Sequence, residues 1–444
     1  MKRLIYQYLR DWAKEKDHCS LILRGARQVG KTHAIREFAK SFDYYIEANF
    51  EDMPALKNFF AYDLDAKRIC EVLAARFQVP IISGKTLLFF DEIQECPQAI
   101  IALRYFYEQI PELHVIAAGS LLDFAIEKVG IPVGRVTFLH LYPLSFLEFI
   151  VAQGNKLLAK KLIEHTPDKP MPDILHEKLF FLLAEYMLIG GMPKAVNAWV
   201  EMRDLNKIQK ILSDITNSYE QDFEKYAKKN QLKYVELIYK KVPTLISQAF
   251  KYSQIESSYQ KRELAPALDL LAKGNILHKI YANNARGIPL GAGKNFEKFK
   301  LIMLDIALCQ NLLGLNVNEW IYDPFTLFSN KGALCEALVG QEIIAYSSPV
   351  KKAELYYWHR EQQGSQAEVD YIINRYEKII PIEVKSGATG RLKSLRHFLE
   401  KTLNVDYGLR FSIQNYSIHA QIHSYPLYAV SHLFVNDIMR EFCS

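Results

Sequence analysis

Gly25-Ala26-Arg27-Gln28-Val29-Gly30-Lys31-Thr32 follows a short apolar run, Leu21-Ile22-Leu23, and precedes a helical pattern from His33 to Lys40. Its two glycines let the backbone curl until several N–H groups and a helix N-terminus converge on one anion. Lys31 adds a point charge and Thr32 a hydroxyl suited to Mg²⁺, which completes the G-x-x-x-x-G-K-[ST] phosphate-binding pattern. The strand before it and the helix after it are the context the pattern requires, so the nucleotide-binding segment runs from Gly25 to His33.

A second strand, Thr86-Leu87-Leu88-Phe89-Phe90, runs directly into Asp91-Glu92. Asp91, at the end of a buried strand adjacent to the loop, is expected to hold Mg²⁺ through water, and Glu92 to orient and polarise the attacking water. Tyr44-Tyr45-Ile46-Glu47-Ala48-Asn49 and His114-Val115-Ile116-Ala117-Ala118 read as further strands. Strands alternating with helical patterns are βα units and imply a parallel sheet covered on both faces.

The chain has 444 residues, too many for a single core, and divides into two to four domains. A net charge of +5 permits a nucleic-acid partner without arguing for one. The six cysteines, at 19, 70, 96, 309, 335 and 443, have no C-x-x-C spacing; they read as reduced thiols of a cytoplasmic protein. Arg10 and Asp11 arrive before any apolar segment forms, so no signal peptide is expected. The most apolar stretch, Leu179 to Met192, contains Glu185 and is too short to span a bilayer. No membrane partner is expected.

Residues 2–16 read as an amphipathic helix beside the nucleotide domain. Residues 155–240 are helical by periodicity, interrupted by the proline-rich loop from Thr166 to Pro172. Gly190-Gly191-Met192-Pro193 stops one helix before the next begins, and a structural turn explains it better than a hinge. From Val242 the pattern is a helix to Lys251, a short turn of helix near Gln254, a helix from Arg262 to Lys273, and then the strand Ile276 to Tyr281. This is winged-helix grammar. Lys261, Arg262, Lys273 and Arg286 could meet DNA phosphates, although such modules also serve as protein–protein spacers, and Glu263 and Asp269 lie on the reading helix.

Residues 331–346 form a helix bearing Glu336 and Glu342. The strand Glu354 to Arg360 and two strands in tight succession follow, Glu368 to Ile373 and Lys378 to Lys385. A turn at Tyr376 and Glu377 pairs Asp370 with Glu383 and Glu368 with Lys385, and alternation puts Asp370, Glu383 and Lys385 on one face. A slip of one residue would send the acids to opposite faces. Opposed carboxylates repel unless a cation lies between them, so a second divalent metal is expected at Asp370 and Glu383, with Lys385 beside it. A helix from Gly390 to Lys401 and a strand from Tyr407 to Ser412 complete an αβββαβ order.

The order and its acids resemble the PD-(D/E)XK nuclease core, with Asp370, Glu383 and Lys385 at its motif positions and Glu336 assisting. Over nearly its whole length the chain resembles the bacterial and archaeal AAA-type ATPases that carry a C-terminal domain of unknown function. The likeness runs through Gly25 to Thr32, Asp91-Glu92, Gly119-Ser120, Gly134-Arg135, Tyr142 to Phe149, Gly190 to Pro193, Phe299-Lys300-Leu301 with Asp305, and Pro381 to Lys385. The resemblance implies an α/β protein in four parts. These are an AAA-type P-loop NTPase with a parallel sheet at residues 1–154, a helical lid at 155–240, a winged-helix-like segment at 241–320, and a restriction-endonuclease-like α/β domain at 321–444. It also implies ATP and Mg²⁺ as ligands. Ser120 would then contact the γ-phosphate or the water, though a helix cap also accounts for it. Arg135 would act as an arginine finger in cis or from a neighbouring subunit, unless it is an ordinary surface residue.

Two functions follow from these residues. One is an ATPase coupled to a nuclease-like domain that binds DNA. The other is a nucleotide-gated switch for a protein partner, with a non-catalytic C-terminal domain. A small-molecule kinase fits less well, because Glu92 beside Asp91 suits activation of water.

Overall fold

The computed structural model describes residues 1–315, 328, 331–362, 365–375, 377–387, 392–402 and 405–443. The expected turn residue Tyr376, the helix start at Gly390 and the 320/321 boundary lie outside the described residues.

Five strands form an all-parallel sheet: β1 (Ser20–Arg24), β2 (Tyr44–Asn49), β3 (Thr86–Asp91), β4 (His114–Gly119) and β5 (Val136–His140). Their order is β2-β3-β4-β1-β5. Strand β4 therefore separates the loop-bearing β1 from the acid-bearing β3. Alternate residues face two cores. Leu21, Leu23, Leu87 and Phe89 pack into one, beneath the helices Ile5–Lys14 and Lys31–Ala39. Ile22, Leu88 and Phe90 pack into the other, with the helices Pro54–Tyr62, Ala66–Phe77 and Pro97–Gln109. Strands buried on both faces need these continuous apolar runs.

The second sheet is mixed and has eight strands: β6 (Leu277–Asn283), β7 (Lys294–Met303), β8 (Leu355–Gln362), β9 (Ser365–Arg375), β10 (Lys378–Val384), β11 (Gly408–Ser412), β12 (Ser417–His419) and β13 (Ile422–Pro426). Their order is β12-β13-β11-β10-β9-β8-β6-β7, with β6 parallel to β8. The hairpin assigned to a winged-helix-like segment at 241–320 is thus hydrogen-bonded into the C-terminal sheet. Where a helix was expected from Val242 to Lys251, the chain forms only a 3₁₀ turn over Val242–Leu245, directly after the helix Leu232–Lys241. Pro243, which has no N–H to donate, sits in that turn. The helices Gly332–Tyr346 and Lys393–Lys401 flank β8, β9 and β10 in the anticipated chain order.

The two sheets meet through buried polar groups. Glu342, on the helix Gly332–Tyr346, accepts hydrogen bonds from Phe146 N at 3.0 Å and Tyr186 Oη at 2.9 Å. Asp305, just after β7, accepts from Gly191 N at 2.7 Å and caps the next helix through Ala307 N and Leu308 N. A Cβ on Gly190 would lie 2.2 Å from Asp305 Oδ1, and one on Gly191 would lie 2.2 Å from Leu144 O. This packing explains the glycine pair as a turn between closely approaching chains.

Burial raises the Glu342 carboxyl to about 7, against the opposing pull of its hydrogen-bond donors. A carboxyl raised on folding stabilises the native state below its unfolded pKa, and the contribution disappears as pH rises through the folded value. The stability of Glu342→Gln relative to wild type is therefore expected to increase between pH 5 and pH 8, by on the order of 3 kcal/mol. Urea unfolding at both pH values measures it; an offset that does not change with pH contradicts the assignment.

Candidate nucleotide site

The loop between β1 and the helix Lys31–Ala39 lies at the C-terminal edge of the parallel sheet. Gly30 has φ +95° and Gln28 φ +64°, so the chain turns through left-handed conformations just before the helix begins. A Cβ on Gly25 would lie 2.3 Å from Leu141 O, which makes glycine a steric requirement there. Lys31 is buried, and its Nζ donates to Gly25 O at 3.0 Å and Ala26 O at 2.9 Å. Burial lowers its pKa to about 8, although the carboxylates of Glu92 and Asp91 pull the other way.

Thr32 Oγ1 donates to Asp91 Oδ2 at 3.0 Å even though β4 lies between their strands. Burial, and then the charge of Glu92, lift Asp91 to about 6. Glu92 sits in a left-handed conformation, φ +50°, and its Oε2 accepts from Gln94 Nε2 at 2.6 Å. The Gln94 side chain lies against Gly119, where a Cβ would come 2.0 Å from its Oε1. Ser120 follows Gly119 at the same edge. The helix Leu122–Val129 starts after it without a side-chain cap, so capping does not account for Ser120.

Arg135 lies at the other end of the sheet. Val136 pairs with Ser20 at the start of β1, whereas His140 pairs with Arg24 beside the loop, so Arg135 is roughly 16 Å from the phosphate edge. It is paired with Glu108 at 3.1 Å and rests on the Tyr107 ring. Within its own chain Arg135 cannot serve as an arginine finger, which corrects that expectation.

Several residues that sequence reasoning did not select hold the loop. The Arg3 guanidinium donates to Val29 O at 3.2 Å, Tyr142 O at 2.7 Å and Glu148 Oε1 at 2.9 Å. The helix Leu205–Tyr226 lies against the outer side of the loop. Asp222 pairs with the Arg27 guanidinium, Tyr219 Oη donates to Arg27 O at 2.8 Å, and Gln28 Nε2 donates to Ser218 Oγ at 2.8 Å. Some 190 residues separate these partners, and no local pattern announces the pairing. Next to His33 a cleft of about 440 Å³ is bounded by Met1, Pro193, Lys194, Asn197 and Ile211. Pro193 also packs against Gly30, where a Cβ would be 3.2 Å from its Cγ.

In the C-terminal sheet the β9/β10 register runs from Lys378 opposite Arg375 to Ile382 opposite Tyr371. One step further places Glu383 opposite Asp370, the arrangement a symmetric hairpin predicts. Asp370 Oδ2 accepts from Val384 N at 2.7 Å, and Lys385 Nζ pairs with Glu383 Oε1 at 2.5 Å. Glu336 does join these residues, but through Lys300, whose Nζ is 2.9 Å from Glu336 Oε1 and 2.5 Å from Glu368 Oε1. Among the described residues no group of three or more His, Cys, Asp or Glu is arranged to hold a metal. At Asp370 and Glu383, where a second divalent ion is expected, lysines supply positive charge to the cluster. Of the cations expected to meet DNA, Lys261 is paired with Glu297 and Lys273 with Glu127. Arg286 is on an exposed loop and Arg262 on an exposed face of the helix Lys261–Lys273.

Comparison with known proteins gives the class of the first part. Residues 17–150 match the AAA domain family, so this segment is a P-loop domain of AAA type, as its sheet and loop indicate. Residues 181–319 and 331–430 match two domains of unknown function, DUF8612 and DUF4143. No curated protein matches the chain. Among solved structures, the chain is similar to the Walker-type ATPase of Pyrococcus abyssi at 14% identity, covering 69% of this chain and 94% of that one with a TM-score of 0.44. It is also similar to the Aeropyrum pernix ORC1 protein solved in complex with DNA, at 12% identity, 70% and 90% coverage and a TM-score of 0.27. Among the described residues no helix is long and apolar enough to cross a membrane.

Removing the Arg3 side chain leaves the buried Glu148 without its ion-pair partner. Arg3→Ala is expected to lose about 3 kcal/mol in urea unfolding and to weaken binding of a fluorescent ATP analogue. A loss below about 1 kcal/mol with unchanged binding would show that Arg3 does not brace the loop.

Proposed function

We propose that the protein binds Mg-ATP at the loop from Gly25 to His33 and hydrolyses it to ADP and phosphate. The observation that carries this reading is the convergence of Lys31, Thr32, Asp91 and Glu92 at one edge of the sheet, with Thr32 Oγ1 and Asp91 Oδ2 3.0 Å apart. A hydroxyl and a carboxylate brought together at the end of a phosphate loop are the donors Mg²⁺ takes in such ATPases. Bound there, Mg²⁺ would neutralise phosphate charge. The raised pKa of Asp91 means that a neighbouring dication would favour its ionised form.

Lys31 turns from the carbonyls of Gly25 and Ala26 to the phosphates, and a nearby anion reverses the desolvation that holds its pKa near 8. Glu92, steered by Gln94, orients the attacking water and accepts its proton. Ser120 contributes a hydroxyl at the same edge. The contacts of Arg27 and Gln28 with the helix Leu205–Tyr226 make nucleotide state felt in the lid. From there Gly191 and Asp305 lead to the second sheet.

For the C-terminal part, the pairing of Lys261 and Lys273 with acids and the lysine within the carboxylate cluster favour a nucleotide-gated switch over a DNA-cutting domain. Its partner is then a protein, and DNA binding is the competing outcome.

Steady-state ATPase assays with and without single- and double-stranded DNA test the reading. Lys31→Ala is expected to abolish nucleotide binding. Glu92→Gln is expected to retain it while turnover falls by about 100-fold or more. Turnover by wild type that DNA leaves unchanged supports the switch. DNA-stimulated turnover or plasmid nicking overturns that part, and wild-type protein that does not bind ATP overturns the whole.

A further inference from the structure

Lys300 is the most deeply buried cation in the C-terminal cluster. It projects from β7, is 0% exposed, and its ammonium passes over the Tyr357 ring at 5.1 Å to reach Glu336 and Glu368. Those two acids come from different elements, the helix Gly332–Tyr346 and β9. Tyr371 Oη fixes the helix to β9 by donating to Glu336 O at 2.8 Å. Burial opposes charge on Lys300, yet the surrounding carboxylates of Glu336, Glu368 and Asp370 prevail and raise its pKa.

The cluster as a whole sets four acids, Glu336, Glu368, Asp370 and Glu383, against two bases, Lys300 and Lys385. The Glu383 carboxylate is 5% exposed; its Oε1 is held by Lys385, while its Oε2 has no hydrogen-bond partner among the described residues. An excess of buried acid with an orphaned oxygen is a cation-seeking arrangement. The Glu368 side chain, 36% exposed, leaves one side open to solvent, so an ion could enter. What a dication needs besides charge is several carboxylates converging on one point, and Lys300 draws Glu336 and Glu368 onto its own ammonium instead.

The geometry points to Lys300 as a built-in counter-ion that takes the place of a divalent metal in the carboxylate cluster, so that the native protein excludes the ion and removal of the lysine opens a divalent-cation site. The ammonium is one charge on a tether, with three N–H donors, and it contacts Glu336 and Glu368. It cannot polarise a phosphodiester or activate a water as a metal does. The cluster then fastens β7, β9 and the helix Gly332–Tyr346 together. Because β7 continues into Asp305, the same strand touches the turn that ends at Pro193 beside Gly30. None of this depends on whether the N-terminal loop turns over ATP.

The test uses the full chain, stripped with EDTA and free of nucleotide, as wild type, Lys300→Met, Asp370→Asn and Lys300→Met/Asp370→Asn. Thermal unfolding is followed with and without MnCl₂. The expected result is no Mn²⁺ shift attributable to the cluster in wild type, meaning none that Asp370→Asn removes. Lys300→Met is expected to melt lower without metal and to recover by about 4 °C or more with Mn²⁺, and the double variant to lose that recovery. A wild-type Mn²⁺ shift abolished by Asp370→Asn overturns the proposal, because metal and lysine would then coexist. A folded Lys300→Met that ignores Mn²⁺ overturns it as well. Should Lys300→Met fail to fold, the wild-type and Asp370→Asn arms decide.

Discussion

The loop from Gly25 to Thr32 is enclosed by two neighbouring chain segments, one of which comes closer than a side chain at its first glycine would allow. The carbonyl of Leu141 occupies the space a Cβ on Gly25 would take, and Pro193 packs on Gly30. Within that enclosure the Lys31 ammonium turns onto the loop's own carbonyls. Steric closeness of this kind is shared by every segment involved, so a disturbance at one is transmitted to the others. The remaining parts of the molecule can be understood by how they attach to this turn.

Arg3 attaches from the N-terminus, and its guanidinium joins the loop carbonyl of Val29 to Glu148. Asp222, Tyr219 and Ser218 attach from the helix Leu205–Tyr226, all three within two turns of one face. Gly190 and Gly191 let Asp305 come within hydrogen-bonding distance of the turn before Pro193, and Glu342 joins the second sheet to Phe146 and Tyr186. Asp305 and Glu342 are raised by burial to about 6 and about 7. Within the apolar core shared by the first sheet and the C-terminal sheet, two of the connections are therefore buried acids, which respond to protonation.

Sequence was informative where chemistry is local. The loop, the acids at the end of β3, the βα alternation and the β9/β10 register can all be read from spacing, since each depends on neighbours a few residues apart. Strand order could not be read in that way: the insertion of β4 between β1 and β3 is a long-range choice among parallel strands that share the same apolar pattern. Nor could spacing choose among the readings of Arg135, which lies at the start of β5, away from the loop, paired with Glu108 on the surface. The same difficulty also concealed Lys300. The acids around Asp370 did announce a missing positive charge, but the ammonium that supplies it lies some 70 residues upstream on a strand assigned to another part of the chain. The β6–β7 hairpin is continuous with the C-terminal sheet, and only the paired backbone reveals that continuity.

In the proposed site the Gly25–Thr32 backbone would wrap a triphosphate, and Thr32 and Asp91 would hold its magnesium. A crystal structure of the Glu92→Gln variant grown with Mg-ATP measures this most directly. Lys31 Nζ is expected to be released from Gly25 O and Ala26 O and placed on the phosphates, with the Thr32 hydroxyl and the Asp91 carboxylate holding the metal. Nucleotide bound elsewhere, or Lys31 still resting on those two carbonyls beside a bound triphosphate, would contradict it.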